Sequence, residues 1–258
     1  MAFLARAPYD NVYLHSLIEA GPGRFYLAGD AAGDICGVLH DGPNLVFAVG
    51  RPEDADAFSA SSLGGRSTRM IVGPRAAVER FWLGAKGRFP SPTVVRTSQP
   101  VYALTREGLA TTLPPAGSFD VGTASLDELD ELALHGLRMA AGEFGAPPPA
   151  RVDSVFRGRT ANTISAGRFW RARRGGTLLF QCYVGATTAQ TAQIQGVWAP
   201  PERRGKGDAT LAFAAICKAL LATHPTLSLY VNGFNTRAIA LYERIGFSRV
   251  SEFASLIF

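Results

Sequence analysis

The chain has 258 residues, 47% of them hydrophobic and 18% charged, with a formal net charge of +5 at pH 7. This composition excludes a disordered chain, and the length suits one large or two small globular domains. The positive charge is scattered and no aromatic–basic stripe accompanies it, which argues against a nucleic-acid partner.

Cysteine and histidine give no sign of a metal site or a disulfide framework. The three cysteines lie far apart in apolar surroundings, and the four histidines are isolated from one another. The N-terminus lacks a charged segment with a long apolar core. The most apolar run, residues 211–222, contains Lys218 and is too short to span a bilayer. We therefore predict a cytoplasmic protein with no metal and no membrane partner.

The first 111 residues are predicted to form a small unit of strands and helices. Alternating apolar positions between turn residues predict strands, and longer periodic runs predict helices. The predicted strands are 23–30, 34–40, 44–49, 69–72 and 94–104, and the predicted helices are 52–63 and 74–86.

A connector rich in proline and glycine, residues 112–124, separates this unit from a second one, residues 125–258. Ser125, with Glu128 three residues later, forms a capping box and begins a helix predicted to reach Ala141. The patterns that follow predict a helix at 151–165 and antiparallel strands at 169–173, 177–185 and 191–198.

The densest basic cluster consists of four arginines at a strand end: Arg168, Arg171, Arg173 and Arg174. We interpret this cluster as a solvated strand end and hairpin. Attraction of a polyanionic ligand is the alternative interpretation.

The most informative feature is a strand end that leads through a basic, glycine-containing turn into an apolar helix, at residues 197–209. The first turn of a helix has amides without intrahelical partners and a partial positive charge, and both favour anions. Gly205 and Gly207 permit close approach of an anion, while Arg203, Arg204 and Lys206 add mobile charge. The pattern predicts a diphosphate-binding turn.

Two common phosphate-binding motifs do not match this turn. A Walker loop needs G-x-x-x-x-G-K-[ST], and the dinucleotide motif G-x-G-x-x-G would need glycine at Thr210. The residues Arg204-x-x-Gly207-x-Ala209 do fit the [QR]-x-x-G-x-[GA] signature of the GNAT superfamily of acyl-CoA N-acyltransferases.

A second element strengthens the resemblance. The stretch 229–232, then Asn235, then Tyr242-x-x-x-Gly246-Phe247, is similar to the strand and following helix that come next in that family. The predicted order of elements from residue 120 to 258 is also similar to the whole GNAT fold.

The resemblance implies that an acyl-CoA, most often acetyl-CoA, lies between the strands that end at Trp198 and Val231. Backbone groups of the first strand would pair with its pantetheine arm, and amides of the turn would bind its pyrophosphate. The residues implied in binding are Val197, Trp198, Ala199, Arg203, Arg204, Gly205, Lys206, Gly207, Asp208, Ala209, Asn235 and Tyr242. We expect the Asp208 carboxylate to point outward, because it would repel a pyrophosphate.

The resemblance also implies catalytic roles. Tyr242 lies where the family has its general acid, near the sulfur of the thioester. The general base is less clear, since many relatives have a glutamate on the strand before the turn, and this chain has Gln193 and Gln195 on one face there. Glutamine cannot accept a proton at neutral pH but can hold a water in a relay. Glu143 and Asp153 are the nearest carboxylate candidates.

The first half repeats the predicted element order of the second half. Its equivalent turn, residues 49–54, lacks the R-x-x-G-x-[GA] signature and carries acids where an anion would lie. We infer a degenerate GNAT-like lobe at 1–111, a linker at 112–124 and a catalytic GNAT domain at 125–258, similar to bacterial two-domain GNAT proteins whose N-terminal half is a domain of unknown function. The expected fold class is α/β (α+β), with a mixed, mostly antiparallel sheet flanked by helices.

The leading functional hypothesis is an N-acetyltransferase that uses acetyl-CoA as co-substrate and acts on a small-molecule or peptide amine. The alternative is a non-catalytic acyl-CoA-binding sensor or interaction module, which Gln195 in place of an acid keeps open. The sequence leaves the acceptor, the role of the first lobe and the choice between monomer and homodimer open.

Overall fold

A computed structural model describes residues 1–21, 23–60, 68–110 and 119–258. Its strands are β1 (Arg24–Gly29), β2 (Ile35–Asp41), β3 (Asn44–Val49), β4 (Met70–Pro74), β5 (Val94–Thr105), β6 (Asp120–Thr123), β7 (Phe169–Arg174), β8 (Thr177–Thr187), β9 (Thr191–Trp198), β10 (Thr226–Tyr230) and β11 (Ser248–Ile257). Its α-helices are α1 (Val12–Ala20), α2 (Asp56–Ser59), α3 (Arg75–Ala85), α4 (Leu129–Glu143), α5 (Ser154–Ser165), α6 (Asp208–Leu220) and α7 (Thr236–Ile245).

These strands form one 11-stranded sheet in the order β1-β2-β3-β4-β11-β5-β10-β9-β8-β7-β6. The pairs β3–β4 and β9–β10 are parallel, and the other neighbouring strands are antiparallel. The predicted fold class, a mixed and mostly antiparallel sheet with flanking helices, is confirmed.

The two halves of the chain repeat one plan. Each has an antiparallel meander (β1–β2–β3 and β7–β8–β9), then a helix, then a strand parallel to the third meander strand. A second helix and a last strand complete each half. The expected GNAT-like order of the first half is therefore confirmed.

The last strands of the two halves are exchanged within the sheet. β5 pairs with β10 on one side and with β11 on the other, and β11 in turn pairs with β4. The amide of Thr93 donates to the carbonyl of Ile257 at 2.7 Å beside this junction. Each half thus supplies a strand to the other half's part of the sheet. The predicted division into residues 1–111 and 125–258 stays a prediction.

Side chains alternate between the faces of the sheet and give each half a core on both faces. In the first half, Leu39 and Phe81 belong to the core under α2 and α3, whereas Val38 packs with Leu14 of α1 on the opposite face. In the second half, Phe213 of α6 lies on one face and α4 and α5 cover the other. Each fully buried side chain of this size contributes roughly 1.5–3 kcal/mol.

Two local features of the structure differ from the predictions. Helix α1, Val12–Ala20, was not predicted; it packs on the meander of the first half and also contacts β8 and β9. The end of the predicted linker forms β6, because residues 120–123 pair with β7 along the sheet edge. The rest of the linker up to residue 118, and residues 61–63 of a predicted helix, lie outside the described residues.

The predicted arginine cluster is solvated only in part, since Arg168 and Arg174 are exposed but Arg171 and Arg173 are not. Arg171 and Arg173 are only about 15% exposed, and both donate to Glu128, at 3.3 and 2.7 Å. Glu128 also accepts from the amide of Ser125 at 2.9 Å, which confirms the predicted capping box. Although burial raises it, these hydrogen bonds leave the pKa of Glu128 below its ordinary value. Arg171 and Arg173 therefore hold α4 on the sheet.

Candidate active site

The parallel strands β9 and β10 separate after a short stretch of pairing. Residues Thr191–Gln193 pair with Thr226–Ser228, and no described strand pairs with this edge of β9 beyond Gln193. On its other edge β9 has a bulge, because Gly196 and Val197 together oppose one residue of β8. The result is a V-shaped opening in the sheet, at the position that the sequence predicted.

Gly196 is required for this bulge. It has φ +63°, and a Cβ at this position would clash with the ring of Tyr183 on β8. Any other residue would be strained by its backbone and by this contact. The free edge of β9 beyond it is a row of backbone groups that can pair with an extended ligand.

The turn after β9 leaves a run of amides unbonded. A 3-10 helix at Pro201–Arg203 leads to Gly205 and Gly207, which have φ +76° and +83°, and Gly207 caps α6. Among the described residues, the amides of Gly205 to Ala209 donate to no protein acceptor. Five consecutive free amides at a helix N-terminus form a site for an anion.

The arginines of the turn are more ordered than the sequence suggested. Arg204 donates from Nε to the carbonyl of Ala199 at 3.0 Å, and its guanidinium lies 4.4 Å from the ring centre of Trp198. Burial and the nearby Arg237 lower its pKa. The Arg204 side chain is therefore held in place and is not a mobile charge. Arg237, at the start of α7, is a second cation near the turn that the sequence analysis did not identify.

Two buried polar atoms beside the turn have no partner among the described residues, namely Arg203 Nε and Trp198 Nε1. Each lost hydrogen bond costs about 1–3 kcal/mol unless a ligand or water supplies an acceptor. Together with the free amides, these donors fit an anionic ligand.

Asp208 does not point freely outward. Its carboxylate lies 3.0 Å from Arg174 at the end of β7, and its side chain is only 15% exposed. We expected the Asp208 carboxylate to point outward into solvent. It forms an ion pair with Arg174 instead.

Tyr242 lies in the core beside the V-shaped opening. It is 4% exposed and its ring contacts those of Tyr102, Phe213 and Phe247, with centroids 5.9–6.2 Å apart. Burial, followed by the effect of the nearby Cys182 and Glu143, raises the pKa of Tyr242 well above that of a free tyrosine. The phenol therefore stays protonated at neutral pH, as a proton donor must.

The two glutamines of β9 lie on the opposite face and contact each other. Gln195 Nε2 donates to Gln193 Oε1 at 3.0 Å. Next to them, Tyr183 and Gln195 line a surface hollow of about 290 Å³. No described carboxylate bonds either glutamine, so the strand itself supplies no base.

Glu143 lies at the end of α4 and faces this region. It accepts from Arg96 of β5 at 3.2 Å. Burial is the main cause that raises the pKa of Tyr183 and Tyr230, and the charge of Glu143 adds to it. The pKa of Tyr230 is raised to about 12. Arg96, Tyr183 and Tyr230 are residues that sequence reasoning missed, because their association depends on the pairing of β5 with β10.

The remaining predicted residues have structural partners. Asp153 caps α5 by accepting from the amide of Phe156 at 2.8 Å, so it serves the helix rather than the site. Asn235 caps α7 by accepting from the amide of Ala238 at 3.2 Å. Its role in binding a ligand stays a prediction.

The equivalent turn of the first half is closed by its own side chain. Asp54 accepts from the amide of Arg51 at 2.8 Å and from its guanidinium at 3.2 Å. Although burial raises it, these bonds leave the pKa of Asp54 below its ordinary value. The Asp54 carboxylate is therefore bonded within the turn, and it gives this turn a negative charge where the second half has Arg203.

Within the described part of the chain, no three metal-ligating side chains lie together. Over the same residues, no helix has both the length and the apolarity needed to cross a membrane.

Two family models match the chain. Residues 23–132 match a domain of unknown function, DUF4081, and residues 176–254 match the FR47-like protein family. The first match extends past the predicted linker into α4. A comparison with curated proteins found no match.

Solved structures with the same fold cover almost the whole chain. A GCN5-related N-acetyltransferase from Kribbella flavida has a TM-score of 0.59 at 17% identity, covering 98% of this chain and 95% of its own. A GNAT-family acetyltransferase from Colwellia psychrerythraea has a TM-score of 0.57 at 14% identity, covering 100% and 96%. A tandem GNAT protein from the clavulanic acid biosynthesis pathway has a TM-score of 0.50 at 15% identity, covering 88% and 81%.

Proposed function

We propose that this protein transfers an acetyl group from acetyl-CoA to a primary amine, because its fold is that of GNAT acetyltransferases of known structure and residues 176–254 match the FR47-like family. The observation that carries this proposal is the set of five free amides beside the unpaired edge of β9. The fold alone would not specify a ligand.

In this proposal the pyrophosphate of acetyl-CoA binds the amides from Gly205 to Ala209, and the dipole of α6 favours its charge. The pantetheine arm pairs with the edge of β9 at Val197 and Ala199, in the place of a missing strand. Arg203 and Arg237 add positive charge at the same end of the site. The thioester then lies in the opening between β9 and β10, toward Tyr242.

The amine nitrogen attacks the carbonyl carbon of the thioester, the new C–N bond forms, and the C–S bond breaks. The amine gives up a proton and the departing thiolate takes one. We assign the proton that the thiolate takes to Tyr242. Its buried phenol is uncharged, and it lies on α7, the helix that comes after β10 in the chain. The proton that the amine gives up leaves through water held by Gln195, with Glu143 as the nearest carboxylate.

The other parts of the proposal follow from the same reasoning. The acceptor is a small-molecule or peptide amine, and the protein is cytoplasmic, where its three free cysteines match a reducing compartment. Residues 125–258 are the catalytic domain and residues 1–111 are the degenerate lobe, with residues 112–124 between them.

One observation favours the alternative of a non-catalytic acyl-CoA-binding module: Gln193 and Gln195 bond each other where a base would be useful. The test is to add acetyl-CoA and a mixture of primary amines to the full chain and to measure free CoA thiol, with calorimetry for acetyl-CoA binding. We expect CoA release that depends on both amine and Tyr242. Tight binding without release, unchanged in Tyr242→Phe, would support the binding module; absence of binding would exclude both functions.

A further inference from the structure

Arg96 brings a guanidinium from a strand of the first half into the acceptor side of the second half. Arg96 lies on β5 beyond the end of the pairing with β10 at Val101↔Tyr230, opposite Ser255 of β11, and its side chain is 13% exposed. The ring of Phe144 lies 5.3 Å from the guanidinium carbon and limits its movement. Arg96 is therefore a nearly buried, oriented cation.

The hydrogen-bonding capacity of Arg96 is mostly unused. A guanidinium has five N–H donors, and among the described residues Arg96 makes one hydrogen bond, from Nη2 to Glu143. A cation removed from water with one monodentate partner gains from a second acceptor, and the planar fork suits a carboxylate.

Glu143 provides the complementary charge next to this fork. Its carboxylate is 42% exposed, so it can be approached from the cleft while it touches Arg96. Because β5 is antiparallel to β10, Arg96 and its partner Glu143 lie toward the ends of β10 and of the parallel β9, where the two strands separate. A negative and a positive group thus lie side by side at the acceptor end.

We propose, resting on the proposed acetyltransferase function, that the acceptor is an amine with a carboxylate close to it, such as an amino acid. Arg96 binds the carboxylate with its unused N–H groups, and Glu143 attracts the ammonium group before it loses its proton. The bond from Arg96 Nη2 to Glu143 is kept and holds the two charged groups side by side.

The experiment compares amino acids with their amides, which lack only the carboxylate charge. The full chain is given acetyl-CoA with an equimolar mixture of L-amino acids and the corresponding L-amino acid amides, and acetylated products are quantified by mass spectrometry. Amides have the more readily deprotonated amine, so simple reactivity favours them. We expect a preference of about tenfold or more for the acids, and its loss in Arg96→Gln. Arg96→Lys should retain part of the preference.

Binding is measured separately, by ligand-observed NMR of both sets with the CoA-bound protein, so that failure of catalysis does not hide the result. Equal acetylation or equal binding of acids and amides would overturn this inference and leave the transferase function intact. Binding of acids that depends on Arg96, without any acetylation, would support the carboxylate site and overturn the transferase function. Neither acetylation nor binding of either set would overturn both.

Discussion

The turns that follow β3 and β9 have the same plan and opposite chemistry. Each starts with a 3-10 helix whose first two residues are Pro-Glu, Pro52-Glu53 in one and Pro201-Glu202 in the other. The third residue is Asp54 in the first turn and Arg203 in the second. Asp54 bonds the amide of Arg51, whereas the second turn leaves its amides free. The amide that Asp54 accepts from has no counterpart in the second turn, where Pro200 takes the place of Arg51. The first 3-10 helix runs directly into α2, whereas Gly205 and Gly207 separate the second from α6 and leave the amides free.

The second helices of the two halves, α3 and α7, also differ in one chemically important residue. Phe81 is the seventh residue of α3, as Tyr242 is the seventh residue of α7, and both are buried. The first half thus lacks the phenol as well as the open turn. Comparison of the halves teaches that the packing of this fold survives without its chemistry, since a ring at this position is needed for the core in either case.

The largest effect on activity is expected when Tyr242 is replaced by phenylalanine, the residue type that the first half has at Phe81. Tyr242→Phe keeps the core and removes the proton donor, so we expect kcat to fall about 10²-fold, with acetyl-CoA affinity unchanged. Steady-state kinetics and calorimetry measure the two quantities. Tyr102→Phe is the matched control, because its hydroxyl bonds Glu243 at 2.9 Å and takes no part in the proposed chemistry. Equal kcat for wild type and Tyr242→Phe would remove the acid role.

The next effect is expected at the turn itself. Arg203→Asp gives the second turn the residue of the first, and a carboxylate there replaces an attractive charge by one that repels a pyrophosphate. We expect the Kd for acetyl-CoA to rise about 10- to 100-fold, on the scale of one charge-assisted hydrogen bond. Arg203→Gln separates loss of the positive charge from gain of the negative one and should have a smaller effect. Unchanged affinity in Arg203→Asp would show that this turn does not hold the anion.

A smaller effect is expected at the closed turn. Asp54→Asn weakens the bonds to Arg51 and should lower the free energy of unfolding by about 1 kcal/mol at pH 7, without change in acetyl-CoA affinity. Because the pKa of Asp54 is lower in the folded state, its stabilisation is present above the unfolded pKa and is lost as pH falls through the folded one. Denaturation curves of wild type and variant should therefore converge below about pH 4. A constant difference down to pH 2–3 would contradict this assignment.

The smallest effect is expected at the residue that follows the open turn. Asp208→Asn removes a charge that Arg174 already neutralises, so we expect less than about a threefold decrease in the Kd for acetyl-CoA. Arg174→Gln releases the Asp208 carboxylate and should weaken binding by a similar factor. Both changes should become smaller at high salt in calorimetric titrations. A tenfold effect of either variant would mean that Asp208 contacts the ligand directly.

Local patterns predicted those parts of the fold that local forces determine. The capping box at Ser125 and the glycine-containing turn each depend on residues a few positions apart, and the structure has both. Helix α1 was not predicted, although Asn11 precedes it and Gly21 ends it. The Asn11 side chain makes no cap bond to the helix. The apolar positions of the helix were the available signal.

Contacts between distant segments could not be predicted. Arg171 is 43 positions from Glu128, and Arg96 is 47 positions from Glu143, so no pattern in the sequence connects them. The first pair made Arg171 of the arginine cluster structural rather than solvated. The second pair arises only because β5 lies in the other half's part of the sheet, and this exchange leaves no periodic signal.

The exchange of β5 and β11 also has a consequence for how the chain folds. β11 is synthesised long after β4 and β5 and completes the sheet between them, so the first half cannot reach its final structure while it leaves the ribosome. Pairing across more than 150 residues, as between Thr93 and Ile257, is a slow step. Until β11 arrives, two neighbouring strand edges stay open, which makes this chain a candidate for chaperone assistance during synthesis.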